Sequence, residues 1–128
     1  MLDYAVTNPY AIITYHASDM VIDGHIDASY FFVSSSRSRA GVHFYMTEES
    51  ETPLNNGAVM TTSKIIKAVM SSAAEAELCT LFVNCRESIP AQFVLKEMGH
   101  KHTPTPMQTD NTTALGVVNK NIFSKRLK

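Results

Sequence analysis

The sequence changes from strand-like to helical periodicity at Ser71-Ser72-Ala73-Ala74-Glu75-Ala76-Glu77-Leu78. Beyond this segment apolar residues recur at steps of three and four, which predicts a helix that buries one face. Pro90 is expected to interrupt this helix, so that residues 91–98 form a second helix ending at Gly99. The residues of the predicted buried face are Leu78, Leu81, Phe82, Cys85 and Ile89.

The chain before this segment has the pattern of three successive strands. Residues 20–27 suit the first strand, with Asp23-Gly24 as a candidate turn or bulge inside it. Residues 34–39 are a polar loop, and residues 40–46 alternate as a second strand. A third strand begins at residue 58 and is either long, reaching residue 70, or broken near Ser63-Lys64. Short links between successive strands predict an antiparallel meander.

The chain after the helical region predicts one more strand and one more helix. Residues 107–110 form a short strand, and residues 112–118 are compatible with a helix. The order strand, strand, strand, helix, strand, helix predicts an α/β sandwich with a mixed sheet and helices packed on it. Residues 1–17 are expected to be a connector, and residues 18–128 the domain.

Length and charge set broad limits on function. A chain of 128 residues fits one domain. Its charge of −1 gives no general attraction to nucleic acid or to an anionic membrane, so a nucleic-acid site must be local. Basic residues cluster at Arg37 and Arg39 in the polar loop and again near the C-terminal end, where solvated surface is the simpler interpretation and phosphate contact the alternative. The C-terminal cluster consists of Lys120, Lys125, Arg126 and Lys128.

Cysteine usage and hydropathy bear on the compartment. Cys79 and Cys85 lie six residues apart without zinc spacing, so they are expected to be reduced core thiols of an intracellular protein. No segment reaches the roughly 20 apolar residues that a membrane helix needs. We therefore expect a soluble, unsecreted protein of the cytoplasm or nucleus.

Three acidic residues are the candidate functional side chains. Asp27 ends a predicted strand, Glu77 lies near a helix start, and Asp110 lies between a short strand and a helix. Convergent carboxylates bind hard divalent cations. They can converge only if the two strands are neighbours and the helix packs across them. The alternatives are that Asp27 simply ends a strand and that Asp110 is the N-cap of the following helix.

Glu75 and Glu77 are two residues apart on a helix, so only one of them can join such a site. Ser72 followed by Glu75 is a capping box, in which Glu75 bonds back to the backbone N–H of the cap residue. Glu77 sits beside Leu78 at the edge of the predicted buried face, where an acid is unfavourable without a partner. Glu77 is therefore assigned to the site. The alternative is that both are exposed first-turn acids favoured by the helix dipole.

The acidic segments also carry a resemblance to a known family. Together with the loop and second strand, they resemble the ribonuclease H domain of copia-type LTR retrotransposon polyproteins over nearly the whole chain. Residues 1–15 resemble the end of the segment that joins reverse transcriptase to ribonuclease H. The matching segments are His25-Ile26-Asp27-Ala28-Ser29-Tyr30, Arg37-Ser38-Arg39-Ala40-Gly41-Val42-His43-Phe44, Ser71-Ser72-Ala73-Ala74-Glu75-Ala76-Glu77-Leu78 and Thr109-Asp110-Asn111-Thr112-Thr113-Ala114-Leu115.

The resemblance implies a ribonuclease H-like fold with Asp27 and Asp110 on adjacent central strands and Glu77 reaching across from the first helix. It implies an endonuclease that cleaves the RNA strand of an RNA–DNA hybrid, with two Mg²⁺ or Mn²⁺ ions about 4 Å apart. A reverse-transcriptase domain is an implied partner. The candidate substrate contacts are Ser29, Asn111 and Thr112.

The chain also departs from the family pattern. The family has a fourth acidic residue shortly after a stretch like residues 121–128, and this sequence stops just short of it. A fifth strand and a last helix are expected to be missing as well, so that three acids hold one ion and an exposed sheet edge favours self-association. One alternative is an inactive remnant that binds nucleic acid or protein. Another is an unrelated α/β interaction protein with scattered acids.

Overall fold

The computed structural model describes residues 2–50, 54–101 and 103–119. The predicted order of three strands, a helix, a strand and a helix is confirmed, and a short helix precedes it. A 3-10 turn at Ser34–Ser36 joins the first two strands. The elements are α1 (Leu2–Thr7), β1 (Val21–Val33), β2 (Arg37–Thr47), β3 (Ala58–Ile65), α2 (Ala73–Glu97), β4 (Met107–Gln108) and α3 (Thr112–Val118).

The four strands form one mixed sheet in the order β3-β2-β1-β4. β1 pairs with β2, and β2 with β3, in antiparallel register, so the predicted meander is confirmed. β4 lies parallel to β1, with Gly24 opposite Met107 and His25 opposite Gln108. A parallel neighbour requires a crossover connection, which here contains α2.

The first strand is longer and more regular than predicted. Its register with β2 is unbroken from Val21 to Ser29, so Asp23-Gly24 is neither a turn nor a bulge, and the irregularity falls between Ser29 and Val33. Glycine at position 24 reflects a close approach, because a Cβ there would lie 2.6 Å from the sulfur of Met107 on β4. The predicted strand interruption is therefore a contact between β1 and β4.

The loop and third strand also differ from the prediction. β2 already begins at Arg37, so the second half of the expected polar loop belongs to the sheet. β3 ends at Ile65, and the apolar residues that follow are not strand. Ile66 and Met70 are instead buried in a small core cluster with Ala40 and Ala76.

α2 is one continuous helix, and the predicted break at Pro90 is wrong. Pro90 is exposed, whereas Ser88 before it and Leu95 after it are buried. Packing on both sides of Pro90 outweighs the loss of one backbone N–H donor, which explains why the helix continues. The predicted stop is confirmed, because Met98 is the C-cap and Gly99 follows it with φ of 88°.

The predicted buried face of α2 is wrong for three of its five residues, whereas Leu78 is half-buried and Leu81 packs against the core. Phe82 and Ile89 are 63% and 46% exposed, and Cys85 is exposed, so it is not a core thiol. Small and polar residues meet the sheet instead, and the amide of Asn84 donates to the carbonyl oxygen of Gly41 at 3.0 Å. Short or polar side chains occupy most of the positions that meet the sheet, so apolar periodicity identified the buried face only in part. The buried residues of α2 are Ala76, Glu77, Thr80, Asn84, Ser88 and Leu95.

The main core lies between α2 and one face of the sheet. Alternation along β1 and β2 directs even-numbered residues towards α2 and odd-numbered residues to the opposite face. Among the described residues, no helix is both long and apolar enough to cross a membrane. The main core cluster contains Ile22, Ile26, Val42, Phe44 and Leu95.

Candidate metal centre

Three carboxylates meet where the end of β4 lies beside the middle of β1. Asp27 therefore does not end its strand as predicted, because β1 continues to Val33. Asp27 of β1, Glu77 of α2 and Asp110 just after β4 each offer an oxygen, and these oxygens all lie within 4.8 Å of one another. The register explains the pairing of the aspartates, because His25 is opposite Gln108 and each aspartate lies two residues beyond that pair. The three residues assigned to a metal site from the sequence therefore converge.

Glu77 is the buried member of this group. Its side chain is held from two sides: the backbone N–H of Ala28 donates to Oε1 at 3.2 Å, and the hydroxyl of Thr109 donates to Oε2 at 3.4 Å. Burial raises the pKa of Glu77, the charges of Asp27 and Asp110 raise it further, and the two hydrogen bonds oppose these effects. A charge in this position is unfavourable unless a cation balances it.

Glu75 lies outside the cluster and performs the capping role. Ser72 is the N-cap of α2, and its side chain accepts from the N–H of Glu75 at 3.1 Å. The Glu75 carboxylate accepts from the N–H and hydroxyl of Ser71, at 2.6 and 2.7 Å, rather than from the N–H of Ser72 as predicted. These bonds lower the pKa of Glu75. The two neighbouring glutamates thus differ in both position and environment.

Asp110 is not a helix cap. The N-cap of α3 is Asn111, whose side-chain oxygen accepts from the N–H of Ala114 at 2.9 Å. Of the three predicted substrate contacts, Asn111 and Thr112 begin α3 directly after Asp110, and Ser29 lies two residues beyond Asp27 on β1. Their contacts with a substrate stay predictions.

A buried polar cluster missed in the sequence fastens β4 to the sheet. The Gln108 amide donates to Asp23 Oδ2 at 3.0 Å and to the Tyr45 hydroxyl oxygen at 2.8 Å. Asp23 is fully buried, and its Oδ1 has no hydrogen-bond partner in the described part of the chain. Burial, and then the charge of Asp23, raises the pKa of Tyr45 to about 12. The sequence feature that could have indicated this cluster is Asp23, an acidic residue in the middle of a predicted apolar strand.

Gln108 links this cluster to the metal centre. β4 has only two strand residues, and Gln108 is one of them. Its bonds to Asp23 and Tyr45 fix the strand that leads directly to Asp110. The Asp23–Tyr45–Gln108 cluster therefore helps to place one carboxylate of the centre.

Two cavities open on either side of Asp27. The larger one, about 290 Å³, also contains Asp110, and the smaller one is about 220 Å³. All ligand atoms available from the acidic cluster are carboxylate oxygens, the donors that Mg²⁺, Mn²⁺ and Ca²⁺ prefer. The arrangement can bind a hard divalent cation beside an open space for a further ligand. The larger cavity is lined by His25, Ile26, Asp27, His43 and Asp110, and the smaller by Asp27, Ser29, Arg39, Gly41 and Ser63.

Comparison of the chain with protein-family models, curated proteins and solved structures found no match. The chemistry of the centre has therefore to be inferred from its own geometry and from the sequence segments that form it.

Proposed function

We propose that the chain is a ribonuclease H-like domain, of the kind found in copia-type retrotransposon polyproteins, that hydrolyses the RNA strand of RNA–DNA hybrids. The observation that carries the proposal is the convergence of Asp27, Glu77 and Asp110 from β1, α2 and the end of β4. The resemblance implies the same three residues, the same neighbouring strands and the same helix. Exposed acids can lie close together by chance, but Glu77 is buried, and burial of an acid beside two others needs a compensating partner.

The three carboxylates would hold Mg²⁺ or Mn²⁺. When bound, such an ion supplies Lewis-acid activation of water and neutralises charge on the phosphate. The protein's own contribution is positional. Ala28 and Thr109 orient the carboxylate of Glu77, and Gln108 fixes the strand that carries Asp110.

Selection of RNA over DNA requires groups that contact the 2′-hydroxyl, since this hydroxyl distinguishes the two strands. Ser29 and Thr112 offer hydroxyls, and Asn111 offers an amide, close in sequence to Asp27 and Asp110. We assign the recognition of the RNA strand to these three residues. A reverse-transcriptase domain is the proposed protein partner.

A second candidate function is an inactive remnant that binds nucleic acid or protein. The observation that favours it is the two-residue strand β4 at one edge of the sheet formed by the described residues. In this alternative the sheet edge at β4 would serve self-association, since an edge strand presents unpaired backbone groups.

The deciding experiment follows cleavage of a labelled RNA–DNA hybrid while Mg²⁺ or Mn²⁺ is titrated into the purified chain. We expect metal-dependent cleavage of the RNA strand and no cleavage of duplex DNA. Asp27→Asn removes a ligand charge but keeps the side-chain shape. It should reduce the cleavage rate by about 100-fold or more, because metal stabilisation of the transition state amounts to several kcal/mol.

Glu77→Gln and Glu75→Gln form a matched pair on the same helix. Glu77→Gln should abolish cleavage, whereas Glu75→Gln should retain it, since Glu75 lies outside the acidic cluster. A folded wild-type chain that cuts no hybrid with either ion would exclude the nuclease and favour the inactive remnant.

A further inference from the structure

The sheet face opposite α2 carries a groove that passes over Asp27. Asp27 is paired with Gly41 and Ser29 with Arg39 across β1 and β2, so these positions share one face. Gly41 is paired in turn with Ser63 on β3. The two cavities beside Asp27 share this residue and together form the sheet-face groove. Besides Asp27 and Asp110, its polar lining residues are His25, Ser29, Arg39, His43 and Ser63.

Gly41 keeps the groove open beside Asp27. A Cβ at this position would meet only the carbonyl oxygen of Asp27, at 3.4 Å, which is ordinary van der Waals contact. The backbone of Gly41 does not have positive φ, since Gly99 is the glycine with that conformation in the described part of the chain. Neither the backbone conformation nor crowding requires glycine at position 41. The effect of the missing side chain is to leave open space opposite Asp27.

Arg39 supplies a positioned cation in this groove. Its side chain is half-buried, and Nη1 donates to the hydroxyl of Ser63 at 3.2 Å. That bond uses one of the five N–H donors of a guanidinium. Across the described ranges, no carboxylate forms an ion pair with Arg39. The remaining donors suit a phosphate, which arginine binds in bidentate fashion.

We infer that the sheet-face groove binds the sugar–phosphate backbone of the strand to be cut, and that Arg39 holds a phosphate beside the one at the metal centre. Arg39 lies two residues along β2 from Gly41, about 7 Å from the position opposite Asp27. An open groove on both sides of Asp27 fits a continuous strand better than a single phosphate ion. This inference rests on the proposed nuclease function and identifies a contact outside the acidic cluster.

The test measures binding of a labelled RNA–DNA hybrid in Mg²⁺ over a range of salt concentrations. Asp110→Asn is present in every protein, so that binding is measured without cleavage. Arg39→Ala should reduce the slope of log affinity against log salt by about 0.7 to 0.9, the value for one lost phosphate contact. Arg39→Lys should keep the slope. Arg86→Ala is the matched control, because Arg86 is an exposed cation on α2, which packs on the other face of the sheet.

A second pair of variants tests the groove by size. Gly41→Leu should fill the space beside Asp27 and weaken hybrid binding by about tenfold or more, whereas Gly41→Ala should change it little because a Cβ fits. Far-ultraviolet circular dichroism would verify that each variant folds. Unchanged binding by folded Gly41→Leu would overturn the inference.

The outcomes separate this inference from the proposed function. Equal salt slopes for Arg39→Ala and Arg86→Ala, or no hybrid binding at the lowest salt concentration, would overturn the groove even if the wild-type chain cuts RNA. A lower slope for Arg39→Ala alone would support the groove even if the wild-type chain cuts nothing, and would then identify a nucleic-acid-binding module.

Discussion

Glu77 is a residue whose position is costly to the isolated fold. Its side chain is only 6% exposed and lies beside two further carboxylates. The hydrogen bonds from Ala28 and Thr109 compensate it in part, yet the pKa of Glu77 stays raised. A cation at the centre would remove this electrostatic cost, so the same residue that destabilises the metal-free protein should stabilise the metal-bound one.

The raised pKa gives a prediction for stability against pH. A raised carboxyl pKa favours the folded state fully below the unfolded pKa, and this contribution is lost as pH rises through the folded pKa. In EDTA, Glu77→Gln should therefore be more stable than the wild type at pH 7, with the difference shrinking towards pH 4. Urea unfolding at both pH values measures this.

Glu75→Gln is the control for the pH experiment, since Ser71 lowers the pKa of Glu75. A lowered carboxyl pKa contributes stability to the folded state above the unfolded pKa, and this stability is lost as pH falls through the folded pKa. Glu75→Gln should therefore be less stable than the wild type at pH 7, the opposite sign to Glu77→Gln. A Glu77→Gln protein that is also destabilised at pH 7 would contradict the assignment of an electrostatic cost to Glu77.

At the scale of elements, the position of β4 depends largely on the side chain of Gln108. Gln108→Ala would remove two hydrogen bonds and leave the buried carboxylate of Asp23 without its amide donor. We expect a loss of about 1 to 3 kcal/mol in the free energy of unfolding. Because β4 leads to Asp110, the affinity for Mn²⁺ should fall as well. Chemical denaturation and a Mn²⁺ titration would measure the two effects, and unchanged metal affinity would show that Gln108 does not position Asp110.

α2 offers a prediction about its exposed proline. Pro90 cannot donate a backbone hydrogen bond, yet the helix continues through it. Pro90→Ala should restore the missing donor and raise the free energy of unfolding by about 1 to 3 kcal/mol. Thermal and urea unfolding would show it. A loss of stability would mean that the helix is kinked at Pro90 in a way that packing requires.

The elements also show what the sequence could predict and what it could not. Apolar periodicity located α2, and the capping box separated Glu75 from Glu77, because both signals are local. The buried face of α2 was mispredicted in part, because Thr80, Asn84 and Ser88 are buried there and polar residues carry no apolar periodicity. A hydrophobicity scale cannot identify the buried face of a helix when most residues on that face are polar.

Contacts that depend on strand register were the least predictable. The meeting of Asp27 and Asp110 on neighbouring strands was predicted from the family resemblance, and the parallel pairing of β1 with β4 brings them together. The bonds from Gln108 to Asp23 and Tyr45 need three strands in one particular register, which no local pattern specifies. The space left by Gly41 opposite Asp27 depends on register in the same way.

At the scale of the whole molecule, the acidic cluster joins parts of the chain that are far apart in sequence. Asp27, Glu77 and Asp110 come from a strand, a helix and the end of a two-residue strand. A ligand that binds only the folded state stabilises it by about 2.7 kcal/mol at 100 times its Kd. Metal binding should therefore stabilise the fold as a unit, with β4 affected most because its pairing with β1 is short.

This coupling yields a prediction that does not depend on catalysis. Saturating Mg²⁺ or Mn²⁺ should raise the thermal midpoint and slow amide exchange in β4 and the first turns of α2, and EDTA should reverse both effects. Asp27→Asn and Asp110→Asn should lose most of the response, whereas Asp19→Asn, an exposed acid outside the cluster, should keep it. If neither ion changes the midpoint or the exchange of the wild-type chain, the three carboxylates are not a metal centre, and the proposed nuclease falls with them.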